Sequence, residues 1–452
     1  MFEMLLFAVL LLLITAQMAT SASHVHHLPG FEGPLPFHLE TGYVGVGESE
    51  EVQLFYYFIP SERNPKEDPL MLWITGGPCC SSLSGLLLEI GPIAFAVEEY
   101  KAGQVPKLNL RPWAWTKVCS IIFADLPVET GFSYSKTPNP PRGDYELVHH
   151  AHQFLRKWLL EHPEYSSNQV YLGADSYSGI TVPPIVQEIS NGNERGLDPW
   201  INIQGYLLGN PLTTRNDIDY KIELAHRMAL VSDELYMSWL KNCIDSPNES
   251  SCSRVKDYYK KLSSGINVSN ILDPKYCDTW VPPKAIEDSW MRRSLVENFH
   301  EHLPPLSCES YPYFLINYWV NYEGVSKAVH ARKGSVGKWQ RCNDENYVKD
   351  IPSSFEYHAN LSKKGYRSLI YSGDHDLAIP YFTTQEWIRA LNYSIIDDWR
   401  PWLSKGQVAG YTRTYANQMT FATVKGAGHL APEYKPEECF VMFSRWISKK
   451  PL

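Results

Sequence analysis

A serine between two small residues is the first candidate for chemistry in this chain of 452 residues. Ser176 has Ala174 and Ser178 at positions −2 and +2, and it follows a short apolar run at residues 170–172. Small residues at these positions allow the sharp strand-to-helix turn that presents a nucleophilic hydroxyl. Because the pattern also fits a turn without chemistry, a nucleophile requires a base, an acid and oxyanion donors elsewhere in the chain.

Two downstream loops contain the missing base and acid. Asp374 and Asp376 follow an apolar, strand-like run, and His429 stands in a glycine-rich stretch near the C-terminus. The chain order serine, aspartate, histidine is that of an α/β-hydrolase. We predict Ser176 as the nucleophile, His429 as the general base and then acid, and Asp376 as the acid that fixes the imidazole tautomer. Asp374 is the competing acid.

The corner that follows the predicted strand at residues 70–74 is rich in glycine and supplies candidate oxyanion donors. We predict that the N–H groups of Gly77 and Tyr177 bind the oxyanion of a tetrahedral intermediate, where one such donor contributes about 3 kcal/mol. Each piece alone fits a turn, a helix start or a core histidine. Four pieces in this chain order predict an active site.

Alternating strands and helices must position these residues. Strand-like runs separated by helical segments predict an α/β-hydrolase domain over residues 23–452, with a mostly parallel sheet. Between the strand-like runs that begin near residues 203 and 367, the chain holds five of its nine cysteines. We predict that residues 213–345 form a helical cap inserted over the sheet, and that disulfides stabilise it.

The first residues are typical of a secretory signal peptide. Residues 5–14 are apolar, and small residues near Ala22 suit cleavage, although the segment lacks the usual Lys or Arg. We predict a signal peptide at residues 1–22; a membrane anchor is the alternative, but the apolar run is shorter than the roughly 20 residues that span a bilayer. An oxidising lumen also fits the cysteines and four N-glycosylation sequons. The predicted glycosylation sites are Asn248, Asn267, Asn360 and Asn392.

The charge and motif content exclude several function classes. A net charge of −9, with no long block of Lys or Arg, argues against nucleic acid or an anionic membrane as the partner. The chain has no paired CxxC units and no HExxH motif, so we predict neither a metal site nor a cofactor. After signal removal we expect no membrane segment.

Seven stretches of the chain resemble the plant serine carboxypeptidase-like proteins and, within them, the acyltransferase branch. The likeness covers nearly the whole mature chain. The motifs include Thr75-Gly76-Gly77-Pro78 and Asp175-Ser176-Tyr177-Ser178-Gly179. The full set of stretches is residues 35–46, 72–78, 127–135, 175–179, 205–211, 371–376 and 392–402.

The resemblance implies a choice between two reactions. Family peptidases bind the C-terminal carboxylate of a peptide with an Asn before Gly-Gly, a Glu before the nucleophile and a further Glu that shares its proton. Thr75, Asp175 and Glu89 stand at those positions here and, with Gly76, are the predicted substrate contacts. A site that keeps carboxylates but loses the amide donor favours a ligand with donor hydroxyls, such as a sugar.

The acyltransferase branch therefore implies a small-molecule donor, a 1-O-β-glucose ester, and a small-molecule acceptor with a hydroxyl or an amine. Ser176 would carry the acyl group between them. An acid serine carboxypeptidase is the first alternative, and a catalytically silent binding or scaffold protein is the second. The resemblance also implies that the protein is secreted or vacuolar.

Two residues depart from the family pattern, which has glycine at both positions. Ala174 is a small change, whereas Cys79 stands beside the oxyanion loop, where its side chain is able to displace Gly77. The family pattern implies three disulfides and three unpaired cysteines, with an exchange of Cys79 for Cys80 as the alternative. The implied pairs are Cys80 with Cys342, Cys243 with Cys252 and Cys277 with Cys308, leaving Cys79, Cys119 and Cys439.

Overall fold

The computed structural model describes residues 22–101, 103–215, 220–273 and 310–452. The predicted signal peptide up to residue 21 lies outside the described residues, as do Cys277 and Cys308. Among the helices that are described, none combines the length and the apolar character needed to cross a bilayer.

A twelve-stranded sheet forms the centre of the described chain, and a two-stranded sheet of β5 and β6 stands apart from it. The strands are β1 (Ser23–His24), β2 (Glu40–Val46), β3 (Val52–Ile59), β4 (Leu70–Ile74), β5 (Ile93–Phe95), β6 (Leu108–Leu110), β7 (Ser120–Ala124), β8 (Tyr134–Ser135), β9 (Val170–Asp175), β10 (Ile203–Gly209), β11 (Arg367–Gly373), β12 (Ile395–Ser404), β13 (Gln407–Tyr415) and β14 (Met419–Val424).

The strand order in the large sheet is β1-β2-β3-β7-β4-β9-β10-β11-β14-β13-β12, and β8 pairs with β3. The six central strands, from β7 to β14, pair in parallel. Both flanks are antiparallel, so among the described pairings of this large sheet five are parallel and six are antiparallel. The prediction of a mostly parallel sheet is therefore right for the centre and wrong for the flanks. At the flanks, short turns join β2 to β3, β12 to β13 and β13 to β14, and strands that a short turn joins pair in antiparallel fashion.

Helices cover both faces of the sheet because its buried strands are apolar on both sides. Alternate residues of β4 enter opposite cores: Met71 and Trp73 join one, while Leu70 and Leu72 join the other. The α-helices are Asp144–Glu161, Ser178–Glu194, Tyr220–Arg227, Asp233–Trp239, Glu249–Ser263, Ser310–Val320, Glu323–Ala328, Phe355–Lys363, Tyr381–Ala390, Ala431–Tyr434 and Pro436–Ile447. Short 3₁₀ or π turns occupy Gly85–Glu89, Val97–Glu99, Trp115–Lys117, Pro163–Tyr165 and Leu240–Asp245.

The predicted cap at residues 213–345 divides into two parts. The described helices at residues 220–263 bury their own small apolar cluster, which includes Trp239 and touches Leu377 and Phe382 of the main body. The helix Ser310–Val320 instead buries Leu315 and other residues in one of the two cores of the sheet. The first part is a satellite over the site, whereas the second belongs to the main body.

The described disulfides match the pairing that the resemblance implies. Cys80 is bonded to Cys342, and Cys243 is bonded to Cys252. The predicted unpaired residues Cys79, Cys119 and Cys439 are free and buried. The first bond ties the loop after β4 to the last residues of the predicted cap segment, and the second closes a short loop within its first part.

Candidate active site

Ser176 occupies a strained turn between β9 and the helix Ser178–Glu194. Its φ is +51°, a left-handed conformation that is uncommon for a residue with a side chain. Its N–H donates to the carbonyl of Gly209 on the neighbouring strand at 2.9 Å. A Cβ on Gly76 would lie 2.8 Å from the Ser176 Cβ, so only glycine allows the loop after β4 to approach the turn. Ala174 is an ordinary strand residue of β9, and its methyl group is accommodated.

The structure brings Ser176, His429 and Asp376 into one hydrogen-bonded relay. The Ser176 Oγ lies 2.7 Å from His429 Nε2, and His429 Nδ1 lies 2.7 Å from Asp376 Oδ2. Asp374, the competing acid, faces away: its Oδ1 accepts the N–H of Gly426 and lies 2.5 Å from His375 Nδ1. The geometry thus selects Asp376.

Asp376 is fully buried yet surrounded by donors. Its Oδ1 accepts the N–H groups of Ala378 at 2.7 Å and Ile379 at 3.2 Å, and its Oδ2 accepts Asn210 Nδ2 at 2.8 Å. A buried carboxylate is stable as an anion only when donors replace the lost water. These bonds also fix the direction in which Oδ2 meets His429.

Asn210 also belongs to the site, although no role was predicted for it from the sequence. It follows β10 with a φ of +43°, and its Oδ1 accepts the N–H of Gly373 while its Nδ2 holds Asp376. The signal was present in the sequence as an Asn directly after an apolar strand, since Asn tolerates the left-handed conformation. Its partners lie on another strand and are not readable from that position alone.

The environment of His429 favours its charged form. Burial alone would lower the pKa of the imidazole, but the Asp376 carboxylate and its hydrogen bond outweigh burial, with a further contribution from Asp175. The net effect is a pKa above the usual value. An imidazolium that forms when His429 takes the proton of Ser176 is therefore stabilised.

Two backbone N–H groups are available beside the nucleophile. Within the described part of the chain, Gly77 N–H and Tyr177 N–H donate to no other group. A Cβ on Gly76, one residue before Gly77, would lie 2.9 Å from the Tyr177 N. Gly77 has a φ of +119°, which only glycine adopts readily. The arrangement is suited to an oxyanion.

Cys79 adopts a φ of +63°, so the family's preference for glycine at this position has a backbone cause. Its side chain is buried, and burial raises the pKa of the thiol to about 12 despite the nearby Arg142 guanidinium. Its carbonyl accepts the N–H of Asn343 at 2.9 Å. The thiol thus lies near the Arg142 guanidinium.

The four predicted substrate contacts are all buried, and they differ in whether their polar groups already have hydrogen-bond partners. The Thr75 hydroxyl accepts the Trp73 indole N–H at 3.2 Å, and the side chain is buried. The Gly76 N–H donates to Asp175 Oδ1 at 2.6 Å and is not available to a substrate. Thr75 and Gly76 therefore shape the loop, and the acid pair of Asp175 and Glu89 remains as the candidate ligand-binding chemistry.

Asp175 and Glu89 form a pair of buried acids whose pKa values are both raised. Burial, together with the other carboxyl, raises the pKa of Glu89 well above its usual value, and burial also raises that of Asp175. Asp175 Oδ2 and both oxygens of Glu89 have no hydrogen-bond partner among the described residues. Two adjacent carboxyls in this setting do not both ionise.

Arg111 lies behind the acid pair. Its guanidinium donates to the carbonyl of Leu87 at 2.7 Å, and burial lowers its pKa to about 10 against the pull of Glu433 and Glu89. Leu87 belongs to the π turn that carries Glu89. Arg111 thus fixes the turn that carries Glu89 at the sheet edge.

The asparagines of the four sequons differ in exposure. Asn248, Asn360 and Asn392 are exposed, which is compatible with the predicted glycans. Asn267 is only 3% exposed, so the predicted glycan at Asn267 does not fit this conformation. The reason is that residues 267–271 pack against the loops of Asp376 and His429.

Comparisons with known proteins identify the family of the chain. A family model described as serine carboxypeptidase matches residues 29–449. The chain is 52% identical over 453 residues to serine carboxypeptidase-like 11 of Arabidopsis thaliana, with 98% of each chain covered. It is 51% identical over 445 residues to serine carboxypeptidase-like 19 of the same plant, covering 95% of this chain and 94% of the relative.

The fold is also similar to that of a solved carboxypeptidase. The crystal structure of Kex1(Δ)p, a prohormone-processing carboxypeptidase from Saccharomyces cerevisiae, matches with a TM-score of 0.74 at 20% identity. The match covers 94% of this chain and 95% of that one, and it shows the fold alone. Taken with the family match over residues 29–449, these findings place the chain in the serine carboxypeptidase family of α/β-hydrolase enzymes.

Proposed function

We propose that the protein is an acyltransferase that moves an acyl group from a 1-O-β-glucose ester to an acceptor hydroxyl or amine. Ser176, His429 and Asp376 act as its catalytic triad. Gly77 and Tyr177 form its oxyanion hole, and the pair of Asp175 and Glu89 binds hydroxyl groups of the donor.

In the first half of the reaction, Ser176 Oγ attacks the ester carbonyl while His429 Nε2 takes the hydroxyl proton. The two backbone N–H groups stabilise the negative oxygen of the tetrahedral intermediate. When the intermediate collapses, the bond to the C1 oxygen of glucose breaks, and His429 returns the proton to that oxygen. The acyl group is then an ester on Ser176.

In the second half, His429 removes a proton from the acceptor, which attacks the acyl-serine. The bond to Ser176 Oγ breaks, and the serine recovers its proton from His429. Water at about 55 M competes for the same intermediate, so the acceptor must be held in place while water is excluded. The satellite of helices at residues 220–263 packs against the loop after Asp376 through Leu377 and is the element placed to do so.

The observation that carries the proposal is the acid pair without an amide donor beside it. Asp175 Oδ2 is an acceptor with no partner among the described residues, and Thr75 replaces the Asn of the family peptidases. A peptide carboxylate brings negative charge and needs donors, whereas glucose hydroxyls are donors themselves. The site is therefore better suited to a neutral sugar ester.

The acid serine carboxypeptidase activity is the rival function because the acid pair itself is retained. A protonated Glu89 supplies one donor at acid pH, as burial raises its pKa. The hypothesis of a catalytically silent protein has weaker support, because the N–H groups of Gly77 and Tyr177 donate to no other group among the described residues.

The test incubates the secreted protein with a panel of phenolic and aliphatic glucose esters, with and without plant alcohols and amines, and identifies products by mass spectrometry. We expect acylated acceptor and free glucose, and neither product with Ser176→Ala. A blocked dipeptide at acid pH is assayed in parallel. Release of its C-terminal residue without ester turnover would establish a peptidase activity instead. Failure of a fluorophosphonate probe to label Ser176 would support the alternative of a catalytically silent protein.

A paired variant tests the acid pair directly. Thr75→Asn with Asp175→Glu restores the residue types of the family peptidases, so we expect weaker use of glucose esters and a gain in peptide hydrolysis. Glu98→Gln, at an exposed position, is the matched control. A double variant with unchanged substrate preference would remove the acid pair from the account of specificity.

The site of action that we propose is the secretory pathway, with a secreted or vacuolar destination. The two described disulfides and the exposed asparagines Asn248, Asn360 and Asn392 support an oxidising, glycosylating compartment. Endoglycosidase treatment of protein from plant tissue, followed by peptide mapping, tests this proposal.

A further inference from the structure

A short segment that follows the satellite helices, residues 267–271, contacts both loops that carry the base and the acid. We refer to these five residues as the strap. The carbonyl of Ser269 accepts the N–H of His429 at 2.7 Å, and the carbonyl of Val268 accepts the N–H of Leu377 at 2.9 Å. The N–H of Ile271 donates to the carbonyl of His375 at 3.1 Å.

These three bonds join the strap to His429 itself and to the residues on either side of Asp376. The two loops leave different strands, β11 and β14, and the strap connects them on the side of the satellite. A shift of the strap therefore changes the separation of His429 and Asp376. Displacements of about 1 Å in such a constellation cost large factors in rate.

Asn267 holds the strap in shape. Its Oδ1 accepts the N–H of Ser269 at 2.9 Å and that of Asn270 at 3.3 Å, which is an Asx turn. This turn directs the Ser269 carbonyl toward the N–H of His429. The Asn267 side chain is 3% exposed, as is that of Asn270.

Gly428 allows the strap to come this close. A Cβ at residue 428 would lie 2.4 Å from the Ser269 carbonyl oxygen and 2.7 Å from the Asn270 Cβ. Both of those atoms belong to the strap and are fixed by the turn. The contact is therefore specific to glycine beside the histidine.

We propose that Asn267 is a positioning residue for the His429–Asp376 pair, and that the sequon it begins stays unglycosylated in the active protein. A glycan on a side chain this buried would displace the strap from both loops. The inference rests on the proposed triad, but it does not depend on which acyl donor the enzyme uses.

The experiment measures the rate at which a fluorophosphonate probe labels Ser176 in the secreted full-length chain. We expect Asn267→Ala to slow labelling on the order of ten-fold, because the turn loses its acceptor. Asn267→Ser keeps a weaker acceptor and should lose less. Ser269→Ala removes the sequon but keeps the carbonyl and the turn, so it should label at the wild-type rate.

The pH profile of labelling separates positioning from general destabilisation. Asp376, Asp175 and Lys221 are the charged groups that face His429, and the bond to Asp376 keeps its pKa raised. If the strap holds that bond, Asn267→Ala moves the inflection of the profile to lower pH, while a loss of folded protein alone only lowers the amplitude. Thermal unfolding of each variant measures any loss of fold.

Two results would overturn the proposal. One is wild-type labelling with an unshifted profile in Asn267→Ala. The other is a glycan on Asn267, found by peptide mapping, in molecules whose Ser176 carries the probe. The probe reacts with Ser176 without an acyl donor. Both results can therefore be interpreted even if the glucose-ester assay fails.

Discussion

Asp376 and Asp175 are both buried aspartates at the carboxyl end of the sheet, but their surroundings differ. Asp376 accepts two backbone N–H groups, the Asn210 amide and the His429 imidazole. Asp175 accepts only the Gly76 N–H, and its second oxygen has no partner among the described residues. The first loop supplies the donors that an anion needs, whereas the second carboxyl has one donor and lies near the buried Glu89, so its pKa is raised.

The difference teaches how one sheet edge serves two purposes. Four donors around Asp376 replace water, so the anion is stable and orients His429. With one donor and a neighbouring acid, Asp175 has a raised pKa and a buried oxygen that has no hydrogen-bond partner among the described residues. Under the proposed function, catalysis depends on the carboxylate that has four donors, and substrate choice depends on the carboxylate that has one.

The largest expected effect comes from neutralising the satisfied acid. Asp376→Asn should lower kcat by about 10³ to 10⁴, because an amide stabilises the wrong imidazole tautomer and no longer balances the imidazolium. Asp374→Asn is the matched control two residues away and should change kcat little, since Asp374 binds Gly426 and His375. Equal losses in the two variants, measured with the preferred ester, would contradict the assignment.

We expect a smaller loss of kcat when a hydrogen-bond donor to Asp376 is replaced by an acceptor. Asn210→Asp keeps the side-chain shape and tolerates the φ of +43° but sets a second carboxyl against Asp376 Oδ2. Hydrogen bonds to charged groups contribute about 1.5–3 kcal/mol, so kcat should fall roughly ten-fold to a hundred-fold. Steady-state kinetics over a range of pH measures this fall in kcat. An unchanged kcat would mean that Asn210 does not stabilise the Asp376 carboxylate.

Residues that act close to their own strand end were predictable from sequence. Ser176, Asp376 and His429 each follow an apolar strand, and parallel strands bring such ends to one edge. The described disulfides followed from the resemblance. These predictions needed only strand ends, chain order and a family pattern.

What was missed depends on packing between distant segments. The Thr75 hydroxyl points inward because it accepts the Trp73 indole N–H. Asn267 is buried because its segment packs against the loops of His429 and Asp376. Asn210 has its role because its side chain reaches Asp376, which follows a neighbouring strand. Local sequence carries no signal for such contacts. The antiparallel flanks of the sheet were missed because the pattern of alternating strands and helices describes only its centre.

The pH dependence of stability tests the difference between Asp376 and the pair of Asp175 and Glu89. The pKa of Glu89 is raised, so its contribution to stability is fully present below the unfolded value of 4.5 and is lost as the pH rises through the folded pKa. The side chain that Glu89→Gln introduces does not titrate. Between about pH 4.5 and 7.5 we therefore expect the Tm of this variant to fall less than the Tm of the wild type, and the two falls to differ by roughly 2 °C. Scanning calorimetry measures the Tm, with Glu98→Gln as the control. Parallel Tm curves for Glu89→Gln and the wild type would mean that Glu89 is charged in the folded protein.

The smallest effect concerns a third kind of partly buried carboxyl, one that is paired with a cation. Burial alone would raise the pKa of Glu40, but the hydrogen bond and charge of His162 lower it, and Glu40 in turn raises the pKa of His162. The pair contributes stability above the usual pKa of Glu40, 4.5, and loses it as the pH rises through the folded pKa of His162, above 6.5. His162→Gln should therefore lower the Tm by about 1 °C near pH 5.5 and by less near pH 8. A loss that grows toward pH 8 would show that His162 contributes through packing against Trp158 rather than through its charge.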